Sequence, residues 1–138
     1  MTKNEKIAVF ENFARQAARR MEEKKKHRKE RLKIKSMGDT EIEIRGLSDK
    51  ELNECFEFSE EPLEVDRYTI YYASQTLQEA AKILISNGTL KQGQEYKIAE
   101  TFNSVERNFI VKRILELSGA SGDAGIEVVK EVEEIKNS

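Results

Sequence analysis

From Arg31 to Leu52 the chain reads RLKIKSMGDTEIEIRGLSDKEL, and two local patterns meet there. Leu32 and Ile34 alternate with Arg31, Lys33 and Lys35, while Ile42 and Ile44 alternate with Glu41, Glu43 and Arg45. A period of two sends successive side chains to opposite faces of a strand, so each run has one apolar and one charged face. Between them stands Met37-Gly38-Asp39, where glycine supplies the backbone freedom of a reversal. These residues predict a β-hairpin.

Its register follows from the side chains. A two-residue loop at Gly38-Asp39 pairs Ile34 with Glu43 and Lys35 with Ile42, which opposes apolar and charged groups on both faces. A three-residue loop instead gathers Leu32, Ile34, Ile42 and Ile44 on one face and brings Lys33 and Lys35 within reach of Glu41 or Glu43 on the other. Such exposed cross-strand pairs contribute only about 0.2 to 1 kcal/mol each, yet they lower the positive potential along the strand.

The hairpin runs straight into a helix signal. Ser48 is a good N-cap, Glu51 stands three residues on to complete a capping box, and Leu47 with Leu52 has the spacing of a hydrophobic staple. This helix is expected to carry Leu52, Cys55, Phe56 and, at its end, Phe58 towards the core, and to finish at SEEP before Pro62. Cys55 has no His or second Cys near it in sequence and reads as a small core residue.

Downstream, DRYTIYYASQTLQEAAKILIS predicts one long helix over 66–86, with Asp66 as cap and Asn87-Gly88 as stop. Its apolar residues wrap more than one face, which suits a central helix. Tyr71 and Tyr72 fit two roles: core aromatics whose hydroxyls reach the rim, or the wall of a partner groove. A further helix starts weakly near Gln94 or restarts at Asn103, where Asn103 and Glu106 have capping-box spacing, with a stripe of Val105, Phe109, Ile110, Ile114, Leu115 and Leu117. SGASGDAG then reads as a hinge. Beyond it Ile126, Val129, Val132 and Ile135 make a thin stripe on a short, Glu-rich helix that is marginal alone.

Upstream, Ile7, Phe10, Phe13, Ala14, Ala17 and Met21 recur at three and four residues, the spacing of one helical face. That stripe leads into RRMEEKKKHRKERLKIK, residues 19–35, where ten basic residues against three acidic ones leave +7; since the chain totals −2, the rest carries −9. Charge so divided suits a polyanion or an oppositely charged protein. The sequence has no Gly-rich phosphate loop, no recognisable helix-turn-helix pattern and no aromatics interleaved with the basic residues. The run therefore reads as a solvated helix end and the outer face of a strand, with a small nucleic-acid-associated regulator as the rival.

Composition bounds the rest. The chain has 138 residues, 36% charged and 38% hydrophobic, with one Cys, one Pro and no Trp. That length supports one domain with a modest core, without disulfide or metal. No run is long and apolar enough to span a bilayer, and MTKNEKIAVFENFARQ lacks the apolar region of a secretion signal, so a cytoplasmic protein is expected. His27, between Lys26 and Arg28, makes a poor metal ligand and a poor general base. With no zinc spacing, P-loop, nucleophile motif or dinucleotide fingerprint, the expectation is a chain that is not an enzyme and has no catalytic residues, cofactor or metal. The predicted fold class is α+β: a mostly helical single domain, its hairpin packed against about four helices. Residues 1–30 form a charged N-terminal helix, 31–118 the body, and 119–138 a hinge and acidic helix.

The order of these elements, with EIEIRGLSDKEL and RILELSG, resembles the tail assembly chaperones of long-tailed bacteriophages and related defective prophages over about Arg31 to Lys136. The resemblance implies a non-enzymatic helper in the cytoplasm of the bacterial host. Proteins of this family bind the long, aggregation-prone tape measure protein, keep it soluble, and leave as tail tube subunits polymerise around it. Phe10, Phe13, Met21, Tyr71 and Tyr72 are the candidate partner contacts. A homo-oligomer is compatible with the pattern, and a structural adaptor subunit of the tail is a further alternative; no membrane partner is expected.

Overall fold

The computed structural model describes residues 1–24 and 28–120, together with 126, 127 and 129. The expected C-terminal helix and His27 lie outside the described residues, although Ile126 and Val129 are seen to be exposed. In chain order the elements are α1 (Lys3–Lys24), β1 (Lys29–Ile34), β2 (Thr40–Arg45), α2 (Asp49–Phe56), α3 (Pro62–Tyr72), α4 (Gln75–Ser86), a 3-10 segment (Glu95–Thr101) and α5 (Ser104–Leu117). The protein is a mostly helical α+β fold with an antiparallel hairpin in its N-terminal half.

β1 and β2 pair Leu32 with Ile42, Lys33 with Glu41 and Ile34 with Thr40. The loop is therefore residues 35–39, two longer than expected. Lys35–Met37 form a 3-10 turn, and Gly38 (φ 66°) and Asp39 (φ 59°) both take the left-handed conformation. Because five and three are both odd, the faces are unchanged: Ile34, Ile42 and Ile44 are buried. The apolar pattern fixes the parity of the loop and leaves its length to the turn.

The largest departure concerns the helix expected over 66–86. Two helices stand there, separated at Ala73-Ser74, and Pro62 opens the first of them at a position where its missing N–H costs nothing. Asp66 lies inside α3 rather than capping it. Ser74 is fully buried and its Oγ accepts from the Leu77 amide at 3.3 Å. Gln78 Nε2 donates to the Tyr71 and Tyr72 carbonyls at 3.2 and 3.0 Å, completing the end of α3. The break also serves the sheet. The Arg45 amide donates to the Ala73 carbonyl at 2.9 Å, and the Glu43 amide to Thr76 Oγ1 at 3.0 Å. Two outward donors of β2 thus find partners that an unbroken helix would withhold.

The core joins Ile34, Ile42 and Ile44 of the hairpin to Leu52 and Cys55 of α2, Ile70 of α3, Leu77 of α4 and Ile110 and Ile114 of α5. The capping box of α2 forms as expected, Glu51 N donating to Ser48 Oγ at 3.2 Å and Ser48 N to Glu51 Oε1 at 3.0 Å. Leu47 and Leu52 are both buried. Phe56, expected inside, is 53% exposed, because the inward face of α2, which packs on α3, is filled by Leu52 and Cys55. Likewise α5 buries Ile110 and Ile114 while Val105 and Phe109 stay in solvent. Its stripe is wider than the surface offered to it.

The two ends of the body meet at Gly46. Its amide donates to the Arg28 carbonyl at 2.8 Å, and a Cβ added there would stand 2.5 Å from the Leu117 carbonyl oxygen. Beside it the Leu47 amide donates to Ser118 Oγ at 2.8 Å. The start of β1 and the end of α5 therefore lie side by side.

Candidate partner-binding surface

α1 is 22 residues long, which at 1.5 Å per residue is about 33 Å. It opens with a reciprocal cap: Glu5 N donates to Thr2 Oγ1 at 3.2 Å and Thr2 N to Glu5 Oε2 at 3.3 Å. The T-x-x-E spacing that signals this cap is present in the sequence at residues 2–5 and passes unread when the helix is argued from its stripe alone. Helices of this kind normally gain most of their stability by burying an apolar face. Here that face stays open. Phe10 is 67% exposed, Phe13 73% and Met21 65%, and from Met1 to Glu23 Ala17 alone is partly covered. Burying a Phe or Met side chain is worth about 1.5 to 3 kcal/mol, so the stripe holds a substantial unused driving force. An open depression of about 470 Å³ lies on its C-terminal half, bordered by Phe13, Ala17, Arg19, Arg20, Met21 and Glu23.

Tyr71 and Tyr72 belong to a different surface. Both are half-buried against the core, and burial pushes the Tyr71 hydroxyl up. Tyr72 completes a polar cluster joining the hairpin, α2 and α3. Arg45 forks onto Glu51 with contacts of 3.1 and 2.8 Å, its guanidinium lies 5.7 Å from the Tyr72 ring centre, and Tyr72 Oη donates to Glu54 Oε2 at 3.3 Å. The Arg45 hydrogen bonds hold Glu51 down to about 2, while burial and then the Glu51 and Glu54 charges push Tyr72 up to about 12. This is how a structural cluster is held, with every charged member facing an opposite charge or a donor. The five candidate contacts thus fall into two sets, one open on α1 and one largely occupied in the body.

An aromatic panel escapes sequence reading because its members are far apart in the chain. Phe58 stacks on Tyr68 with ring centres 4.0 Å apart, Tyr96 meets Phe58 edge-on at 4.9 Å, and Tyr96 Oη donates to Glu64 Oε2 at 2.8 Å. That hydrogen bond lowers Glu64 and raises Tyr96, and it ties the 3-10 segment to α3. Phe58, expected to point inward, instead covers the edge of this panel at 39% exposure.

Lys29 of the basic strand finds an acidic neighbour, its Nζ lying 3.5 Å from Glu43, whereas the strand's own Glu30 receives a fork from Arg113 of α5 at 2.9 and 2.5 Å, which lowers its carboxyl. Cys55 is buried and its thiol is pushed up by burial, the opposite of an activated nucleophile. Among the described residues no group of three or more His, Cys, Asp or Glu is placed to hold a metal ion, and no helix is long and apolar enough to cross a membrane. The open stripe of α1 is the feature that the body leaves unexplained, and comparison of the chain with family models, curated proteins and solved structures gives no match.

Proposed function

We propose that this chain is a non-enzymatic tail assembly chaperone that holds amphipathic helical segments of a tape measure protein against α1. One observation carries the reading: Phe10, Phe13 and Met21 share an uncovered helical face, while the hairpin and α2 to α5 close a core without them. Contiguous apolar surface rimmed by charge is what a helix-in-groove partner requires. The element order and the EIEIRGLSDKEL and RILELSG segments support the family. On this reading the protein works in the cytoplasm of the bacterial host, aids recruitment of tail tube subunits and is displaced as they assemble. Its role involves no chemistry.

The test is co-expression with the tape measure protein. Phe10→Ser with Phe13→Ser is expected to leave the body folded, because neither side chain is packed in it, and to lose client solubility. A client that stays soluble with this variant removes α1 from the proposal.

A further inference from the structure

We propose that the outer edge of β1 takes up an extended segment of a partner protein as a third strand, a segment in which acidic and apolar residues alternate. The inference is independent of the chaperone reading, since it uses neither α1 nor a helical client.

The backbone comes first. In an antiparallel pair, residues that stand opposite each other turn their N–H and C=O groups either both into the ladder or both away from it. The Arg45 and Glu43 amides point away, to the Ala73 carbonyl and Thr76 Oγ1. Lys29 stands opposite Arg45 and Arg31 opposite Glu43, so these two, and Lys33 two residues on, present their backbone groups at the outer edge of β1. The Gly46 amide, which donates to the Arg28 carbonyl, marks the inward positions between them. Among the described residues no hydrogen bond reaches the outward groups of Lys29, Arg31 and Lys33, whereas the outward donors of β2 at Glu43 and Arg45 are taken. An unpaired edge of this kind accepts a further strand through main-chain hydrogen bonds.

Charge selects the occupant. Lys29, Arg31 and Lys33 are exposed in a row on one face of that edge. Lys29 lies near Glu43, while Arg31 and Lys33 have no ion pair among the described residues. Paired with β1 of a second copy, the row would set cations opposite cations, which is destabilising. A strand with Asp or Glu at alternate positions sets opposite charges there instead. The other face supplies the apolar half of the pattern. α5 lies beside β1 on that side, for Ser36 Oγ donates to Glu106 and Arg113 forks onto Glu30. Phe109 comes three residues after Glu106 and four before Arg113, so it shares their flank of the helix. Its neighbour Ile110 turns into the core, and Phe109 stays 57% exposed. Leu32, on the same face of β1 as Glu30, is only partly buried. The apolar side chains of an added strand would lie on the side that carries Leu32 and Phe109.

The experiment titrates the full chain, at low salt, with a synthetic peptide alternating Glu and Val and reads backbone amide exchange at Arg31 and Lys33. Excess peptide is expected to slow exchange at both about tenfold. A peptide alternating Lys and Val, and the Glu-Val peptide N-methylated at every amide, are expected to leave it unchanged. Arg31→Thr with Lys33→Thr keeps residues that favour a strand and is expected to weaken the Glu-Val peptide about tenfold. Phe109→Ser, at an exposed position, is expected to weaken it about fivefold. Exchange around Ile110–Ile114 serves as the folding control. Unchanged exchange at Arg31 and Lys33, equal protection by either control peptide, or full affinity in the double Thr variant overturns the proposal. Protection that arises over residues 7–21 instead also overturns it, because the peptide then sits on α1. So does a single-stranded oligothymidine held more tightly than the peptide, the basic row then being a phosphate site.

Discussion

α1 and α5 begin alike and end differently. Each opens with a reciprocal cap, Thr2 with Glu5 in one and Asn103 with Glu106 in the other, and each carries an apolar stripe at helical spacing. α5 spans 14 residues and drives Ile110 and Ile114 wholly into the core. α1 spans 22 and leaves its largest apolar side chains in solvent. A stripe records which face of a helix avoids water; it does not record what covers that face. In α5 the cover is β2 and α3, brought there by the hairpin, whereas α1 precedes the hairpin and has no counterpart in the body.

Substitution can break this contrast. Ile114→Ala is expected to lower unfolding free energy by about 3 to 4 kcal/mol, read from urea denaturation, because a fully buried Ile leaves a cavity. Gly46→Ala follows closely, at about 2 to 3 kcal/mol, since the new methyl must displace the Leu117 backbone or move its own strand. A smaller step is Glu51→Gln. Glu51 titrates at about 2 in the folded chain against an ordinary value of 4.5, so its contribution is present above pH 4.5 and fades as pH falls towards 2. Screening at this partly open pair reduces the effect to about 1 to 2 kcal/mol near pH 7. The variant should show a correspondingly shallower loss of stability between pH 5 and 2. Smallest of all is Phe13→Ser, within about 0.5 kcal/mol of the natural chain. If it costs as much as Ile114→Ala, the stripe of α1 is core after all and the contrast collapses.

Much of the body is legible in the residues because its signals are local. Ser48 with Glu51, and Asn103 with Glu106, announce helix starts within four positions, and the alternation around Gly38 assigns the faces of the hairpin. The break at Ala73-Ser74 is not legible. Ser74 has Leu77 rather than Glu at the third helical position, so no capping box marks it, and its cause is the need of Glu43 and Arg45 for acceptors some thirty residues away. The aromatic panel hides for the same reason, since Phe58, Tyr68 and Tyr96 become neighbours only through the packing of α2, α3 and the 3-10 segment. On the candidate surface, periodicity names Phe10, Phe13 and Met21 correctly as sharing one side of α1. It gives no hint that this side stays open while Tyr71 and Tyr72 settle against the core.

The hydrogen bonds from Arg45 and Glu43 to Ala73 and Thr76 bear on how this protein meets others. They close one seam of a two-stranded ribbon with a carbonyl from the break between α3 and α4 and a hydroxyl from α4, so no extended chain can zip onto β2 from that side. An exposed strand edge is a template for aggregation, and this stopper removes that liability from one side of the ribbon.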